Sequence, residues 1–188
     1  MTSTSELATP AELDAAIGAI AAAPIDGAVA EMLCLRPARG ERVFVDRIDV
    51  SREQGIPGER WLTTPWLRLP DGRPHPGIQI SILQRRVLDL VWRDRHHVVH
   101  PGDTFVVDMD LSVTNLPEGQ LLAAGTAILR VSDVFNDACV KWKVRYGTAA
   151  KEWVNAPAHR ALRLRGVLCS VERDGVIRQG DRLRKLDP

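Results

Sequence analysis

The run "PGDTFVVDMDLSVTNLPEGQLLAAGTAILRVSDV", residues 101–134, decides the fold. It sets short apolar stretches between turn residues at Gly102, at Pro117-Glu118-Gly119 and at Gly125. Short apolar runs bounded by Gly, Pro, Asn and Asp read as strands. The same texture extends in both directions. Upstream, "VAEMLCLRP" and "RVFVDRIDVS" predict two strands joined at "ARGE", "IQISIL" predicts a third, and "GIPGERW" and "LPDGRPHPG" predict loops. "QRRVLDLVWRD" fits strand or helix. Downstream, "GVLCSVERDGVIRQGDRLRKL" predicts a closing hairpin turning at Arg173-Asp174-Gly175, then a further turn at Gln179-Gly180-Asp181. Many short strands with few helices predict a mostly β, barrel-like domain.

Two helical stretches interrupt this pattern. In "TPAELDAAIGAIAAAP", Thr9 can cap, Pro10 suits the first helical position and Glu12 completes a capping box. The alanine-rich helix that results is amphipathic and is expected on the outside of the barrel. "GTAAKEWVNAPAHRALRLR" predicts one or two short helices, capped by Thr148 and broken at Pro157. The expected organisation is a tail and helix over residues 1–28 and the barrel over 29–188, with the first eight residues unordered.

Composition narrows the function. A chain of 188 residues, 45% hydrophobic, has room for one real core. Its formal net charge of +1 lacks the strong basic excess of a nucleic-acid binder, so no nucleic-acid partner is expected. Arginine dominates the 25 basic residues, which suits carboxylate or phosphate ligands; a genome-wide codon bias yields the same composition. Cys34, Cys139 and Cys169 are odd in number and far apart. That argues against a disulfide framework or zinc knuckle and for reduced thiols in a cytoplasmic protein. "MTSTSELATP" has no signal-peptide pattern and "AAIGAIAAAP" is too short to cross a bilayer, so no membrane partner is expected.

"NDACVKWKVRYG", residues 136–147, is the stretch with chemical promise. Its alternation predicts a strand with Cys139, Lys141, Lys143 and Arg145 on one face and Val140, Trp142, Val144 and Tyr146 on the other. Cations beside a thiol favour the thiolate, which is both the nucleophile and the soft-metal ligand. They can also hold an anionic ligand against it. A half-buried strand with a solvated basic face and a space-filling cysteine explains the pattern equally well. Arg60, in "GIPGER", could bind an oxyanion or form a salt bridge. The run "RDRHHVVHPGD" places His97 and His100 near Asp94 and Asp103, and a polar loop explains it better than a metal site. His75 or His159 could act as a base for Cys139, with nothing local marking either.

The order of these pieces is informative. "VDRIDVSREQGIPGERW", "HPGIQISIL", and the long run from Pro101 through "NDACVKW" together resemble the MOSC domain, the molybdenum cofactor sulfurase C-terminal domain, in its small stand-alone bacterial form. The similarity runs from about Val29 to Leu186. It departs where Gly58-Glu59-Arg60-Trp61 stands for a Gly-Asp-Arg-His loop, and where Gly102-Asp103-Thr104-Phe105 stands for a Gly-Glu-Asn-Leu motif. The resemblance implies a β-barrel with Cys139 as functional centre and metal ligand. Lys141, Arg145, Arg60 and Asn136 are then the candidates for binding a molybdenum–pterin cofactor (molybdopterin). The implied activity is oxo-transfer reduction of N-hydroxylated small molecules, with electrons from a redox partner. The alternative it implies is a sulfur carrier, with a persulfide on Cys139 received from a sulfur-donor protein.

Overall fold

The computed structural model describes residues 7–187. Its strands in chain order are β1 (Ala28–Val29), β2 (Met32–Leu35), β3 (Val43–Val45), β4 (Arg47–Val50), β5 (Ile80–Gln84), β6 (Phe105–Val107), β7 (Leu121–Ala124), β8 (Ala127–Val131), β9 (Val167–Arg173), β10 (Gly175–Arg178) and β11 (Arg182–Lys185). The helices are α1 (Pro10–Ala15), α2 (Ile17–Ala21), α3 (Arg85–Val91) and α4 (Val140–Asn155). Nine strands form one curled sheet in the order β1-β11-β7-β8-β9-β5-β6-β2-β3, antiparallel except for the parallel pair β5–β6. The sheet makes a half-barrel, as the strand-rich sequence predicts.

Strand parity divides the core in two. Ile80, Ile82, Phe105 and Val107 point into the curl and pack with Leu122, Leu129, Val131, Val167 and Cys169. Leu83 and Val106 point the other way and pack with Leu13, Val87, Leu88, Trp142, Tyr146 and Trp153 from the helices. This alternation explains why every residue of β5 is buried: both of its faces are covered. The pair β4–β10 lies outside the main sheet and sends Ile48, Val50 and Ile177 into the inner core.

The predicted strands over "IQISIL" and around the Gly125 turn are present, and so is the Thr9–Glu12 capping box. Helix follows the cap only to Ala15 and restarts at Ile17, and "QRRVLDLV" resolves as helix. Of the eight residues expected to be unordered, 1–6 lie outside the described residues, while Ala8 is buried against the helical core.

Two expectations are corrected. The closing hairpin does not form. β10 leaves β9 at Asp174 and pairs with β4, with Val176 opposite Asp49 and Ile177 opposite Ile48. Likewise, the run after Cys139 is helix, not strand. Its buried positions are Trp142, Tyr146, Ala150, Trp153 and Val154, a helical spacing, while Val140 and Val144 are 67% and 80% exposed. The Lys/Val alternation is an accident of an exposed surface. Gly147, at φ 91°, kinks the helix where a Cβ would strike the Leu7 side chain at 2.9 Å.

Candidate functional site

Loops at one end of the half-barrel surround a cleft of about 300 Å³. Cys139 stands at its edge as the exposed N-cap residue of α4. Asn155, at the far end of α4, fixes the approach to it. The Asn155 Oδ1 accepts from the Ala138 backbone N–H at 2.8 Å, and its Nδ2 donates to the Ala138 carbonyl at 2.9 Å. One amide thus satisfies both backbone polar groups of the residue before the cysteine. The first two turns of α4 then place Lys141 and Arg145, four residues apart, on the cleft wall.

All five residues singled out in the sequence line this cleft: Asn136, Cys139, Lys141, Arg145 and Arg60. Asn136 is tied by its Nδ2 to the Arg165 carbonyl at 3.0 Å. Lys143, expected on the cysteine's face, is exposed and does not line it, because a helix turns that position away. Three arginines were not singled out. Arg36 follows β2, Arg42 precedes β3, and Arg165 precedes β9, so no local motif joins them.

Two buried carboxylates hold two of these arginines. Glu59 accepts from the Arg36 side chain at 3.2 and 2.9 Å and from the Arg36 backbone N–H at 2.8 Å. Its charge and hydrogen bonds outweigh burial, so Arg36 is pushed above its ordinary pKa. Asp103, buried completely, accepts from Arg165 at 2.8 Å, and the Arg165 guanidinium lies over the Trp142 ring at 4.7 Å. The positions where the chain departs from the family loops are therefore structural: Glu59 and Asp103 are the carboxylates beneath the cleft.

The remaining cations have no such partner. Arg42, Arg60, Lys141 and Arg145 form no salt bridge among the described residues. Arg42 donates to the carbonyls of His100 at 3.1 Å and Pro101 at 2.9 Å, and Arg145 reaches the same Pro101 carbonyl at 3.5 Å. Burial first, and then repulsion from Arg145, lowers the Arg42 pKa from its ordinary value. Gly102, at φ 96°, makes room for this guanidinium: a Cβ there would sit 2.3 Å from the Arg42 Nε.

The histidines do not converge on the thiol. His97 pairs with Asp94 at 3.0 Å on the surface. His100 is buried, not part of a polar loop, with its ring edge-on to Trp92 and Phe44 and its Nδ1 accepting from Gly102 N–H at 3.0 Å. Burial lowers its pKa to about 4. His75 accepts from Gly77 N–H, His159 contacts the Trp153 carbonyl, and neither lines the cleft. The other thiols are buried, and burial raises their pKa to about 11 for Cys34 and about 12 for Cys169.

A larger cleft, about 430 Å³, opens on the other side of Asn136 and Leu168. It has no thiol, and its cations are already engaged: Arg160 stacks on Phe135 at 4.0 Å and Arg163 donates to the Leu116 carbonyl. The exposed thiol and the unpaired cations lie in the smaller cleft.

Curled sheet, basic cleft and exposed thiol thus come together at one end of a half-barrel. Comparison with known proteins makes this specific. Residues 74–184, more than half of the chain, match the MOSC domain, and the chain belongs to that family. The family is associated with binding of molybdenum cofactor. The fold is similar to crystal structures of the YuaD protein from Bacillus subtilis, at 24% identity over 83% of this chain and 93% of that one, with a TM-score of 0.59. It is also similar to YiiM from Escherichia coli, at 17% identity over 86% and 70% of the two chains, with a TM-score of 0.54. No curated protein matches the sequence. Among the described residues no helix is long and apolar enough to cross a membrane.

Proposed function

We propose that this protein binds a molybdenum–pterin cofactor in the cleft, with Cys139 as the metal's protein ligand, and reduces N-hydroxylated compounds. The observation that carries this reading is one exposed thiol beside unpaired cations in a concave site. The donor set fits the group. No trio of His, Cys, Asp or Glu able to hold a metal occurs among the described residues, so a metal at Cys139 must bring most of its ligands with it. A pterin dithiolene does so, and its phosphate suits bidentate arginine.

Lys141, Arg145 and Arg60 would hold the phosphate, and Asn136 would line the cleft wall beside Cys139. Arg165, fixed between Asp103 and Trp142, forms a rigid part of the same cleft. When bound, the cofactor supplies oxygen-atom and two-electron chemistry. In the net reaction the N–O bond of a hydroxylamine would break with uptake of two protons, one completing water from the departing hydroxyl and one going to the nitrogen, and a partner redox protein would provide both electrons. The chain's own part is to orient the reactants and hold the anion.

The exposure of Cys139 also supports a second reading, a persulfide carrier, since a partner's thiol can reach it. Protein purified from a cofactor-competent host separates the two. The first reading predicts stoichiometric molybdenum and pterin fluorescence, both lost in Cys139→Ala. A labile persulfide without metal would select the carrier, and neither would reject both.

A further inference from the structure

The cleft has an outer lobe, about 290 Å³, lined by Arg39, Gly40, Arg42, Arg60, Val140, Lys141, Val144 and Arg145. Five of these eight residues are cations and none is a carboxylate. Among the described residues none of the five takes part in a salt bridge, and the five stand together in one concavity. Arg42 and Arg145 share the Pro101 carbonyl, which holds two like charges within a few ångströms of each other. Arg60 is lowered from its ordinary pKa by burial and then by its arginine neighbours. Such crowding is costly unless an anion relieves it.

The inner lobe alone does not account for the excess. Across both lobes seven cations face Glu59, Asp103 and Asp137, and the first two carboxylates are committed to Arg36 and Arg165. A phosphate monoester carries roughly two negative charges, and an ionised thiol adds one, so a positive excess remains. Once Arg60, Lys141 and Arg145 hold the cofactor phosphate, Arg39 and Arg42 are the outer-lobe cations left without an anion. Exposed Val140 and Val144 give that lobe one apolar side, as a ligand with a nonionic body needs.

We propose that the outer lobe is a second anion subsite, taking a phosphate or carboxylate group distinct from the cofactor's own phosphate. Resting on the functional reading above, it selects substrates that carry an anionic group alongside the N-hydroxyl. The same chemistry could come from a nucleotide tail on the cofactor.

Inorganic pyrophosphate tests the subsite by calorimetry on cofactor-loaded protein, where the phosphate site is filled. Arg39 and Val144 line the outer lobe only. Wild type should bind one pyrophosphate, and Arg39→Ala and Val144→Asp should each weaken it roughly ten- to a hundredfold while keeping the cofactor and melting near wild type. No binding to loaded wild type, or full binding by both variants, would overturn the proposal. If no cofactor loads, the functional reading fails on its own; the subsite is then tested on unloaded protein, where the same variants must lose one of two pyrophosphates. Extraction of the pterin assigns the source. A plain monophosphate, with Arg39→Ala raising KM only for a phosphorylated N-hydroxy substrate, points to the substrate, and a nucleotide-extended pterin points to the tail.

Discussion

The arginines of this protein live in two settings. On the outer surface many are neutralised: Arg47 by Asp49, Arg86 by Asp108, Arg130 by Glu172, and Arg85 by Glu31 and Asp89. At the cleft two are tied to buried carboxylates and the rest face open space without one. The contrast teaches that the near-zero net charge is a poor guide to function here. What sets the cleft apart is that Arg42, Arg60, Lys141 and Arg145 converge there on one concavity with no carboxylate paired to them.

The largest effect should come from the buried acids. Asp103→Ala strands Arg165, and Glu59→Ala strands Arg36, so each should lower unfolding stability by about 3–5 kcal/mol in denaturant titrations. The exposed pair gives the opposite extreme. Arg47→Ala, at a pair more than half exposed on both sides, should stay within about 0.5 kcal/mol. Equal costs would erase the distinction between the two settings.

The buried His100 sharpens the comparison through pH. Its folded pKa of about 4 lies below the ordinary 6.5, so the unfolded chain takes up the proton more readily. The stability that rests on neutral His100 is present above about pH 6.5 and is lost as pH falls toward 4, by up to about 3 kcal/mol. His100→Asn should flatten that slope in melting curves taken across this range. An unchanged slope would assign the acid sensitivity elsewhere.

At the cleft wall the effects shift from stability to binding. Arg145→Ala should melt near wild type and weaken cofactor retention by about 1.5–3 kcal/mol, read as loss on dilution. Cys139 should react with a thiol reagent well before Cys34 and Cys169, which are buried with raised pKa values. Comparable labelling of all three would remove the thiol's special status.

Much of this was legible in the sequence, and the parts that were not share a cause. β5 and the strands around Gly125 are local signals, and the capping box at Thr9 is another. The partner of β10 is β4, more than a hundred residues away, so a reading that joins neighbours in the chain assigns it to β9 instead. α4 was misread because its exposed side alternates Lys and Val, while its buried side shows only when the window reaches Ala150 and Trp153. Lys141 and Arg145 were grouped correctly for the wrong reason, since a spacing of four keeps one face in both strand and helix. Arg36 and Arg42 stand at the two ends of the β2–β3 loop, and Arg165 comes from the distant loop before β9. The available hint was the acids: a Glu beside Gly58 and an Asp beside Gly102, in apolar surroundings, need buried partners.

The reading of the cleft rests above all on Cys139 as the protein's ligand to a metal. X-ray absorption at the molybdenum edge tests it most directly, on wild type and Cys139→Ser loaded in the same host. Wild type should show one more sulfur scatterer around molybdenum than the variant. Identical sulfur shells in the two proteins, at equal metal content, would contradict it.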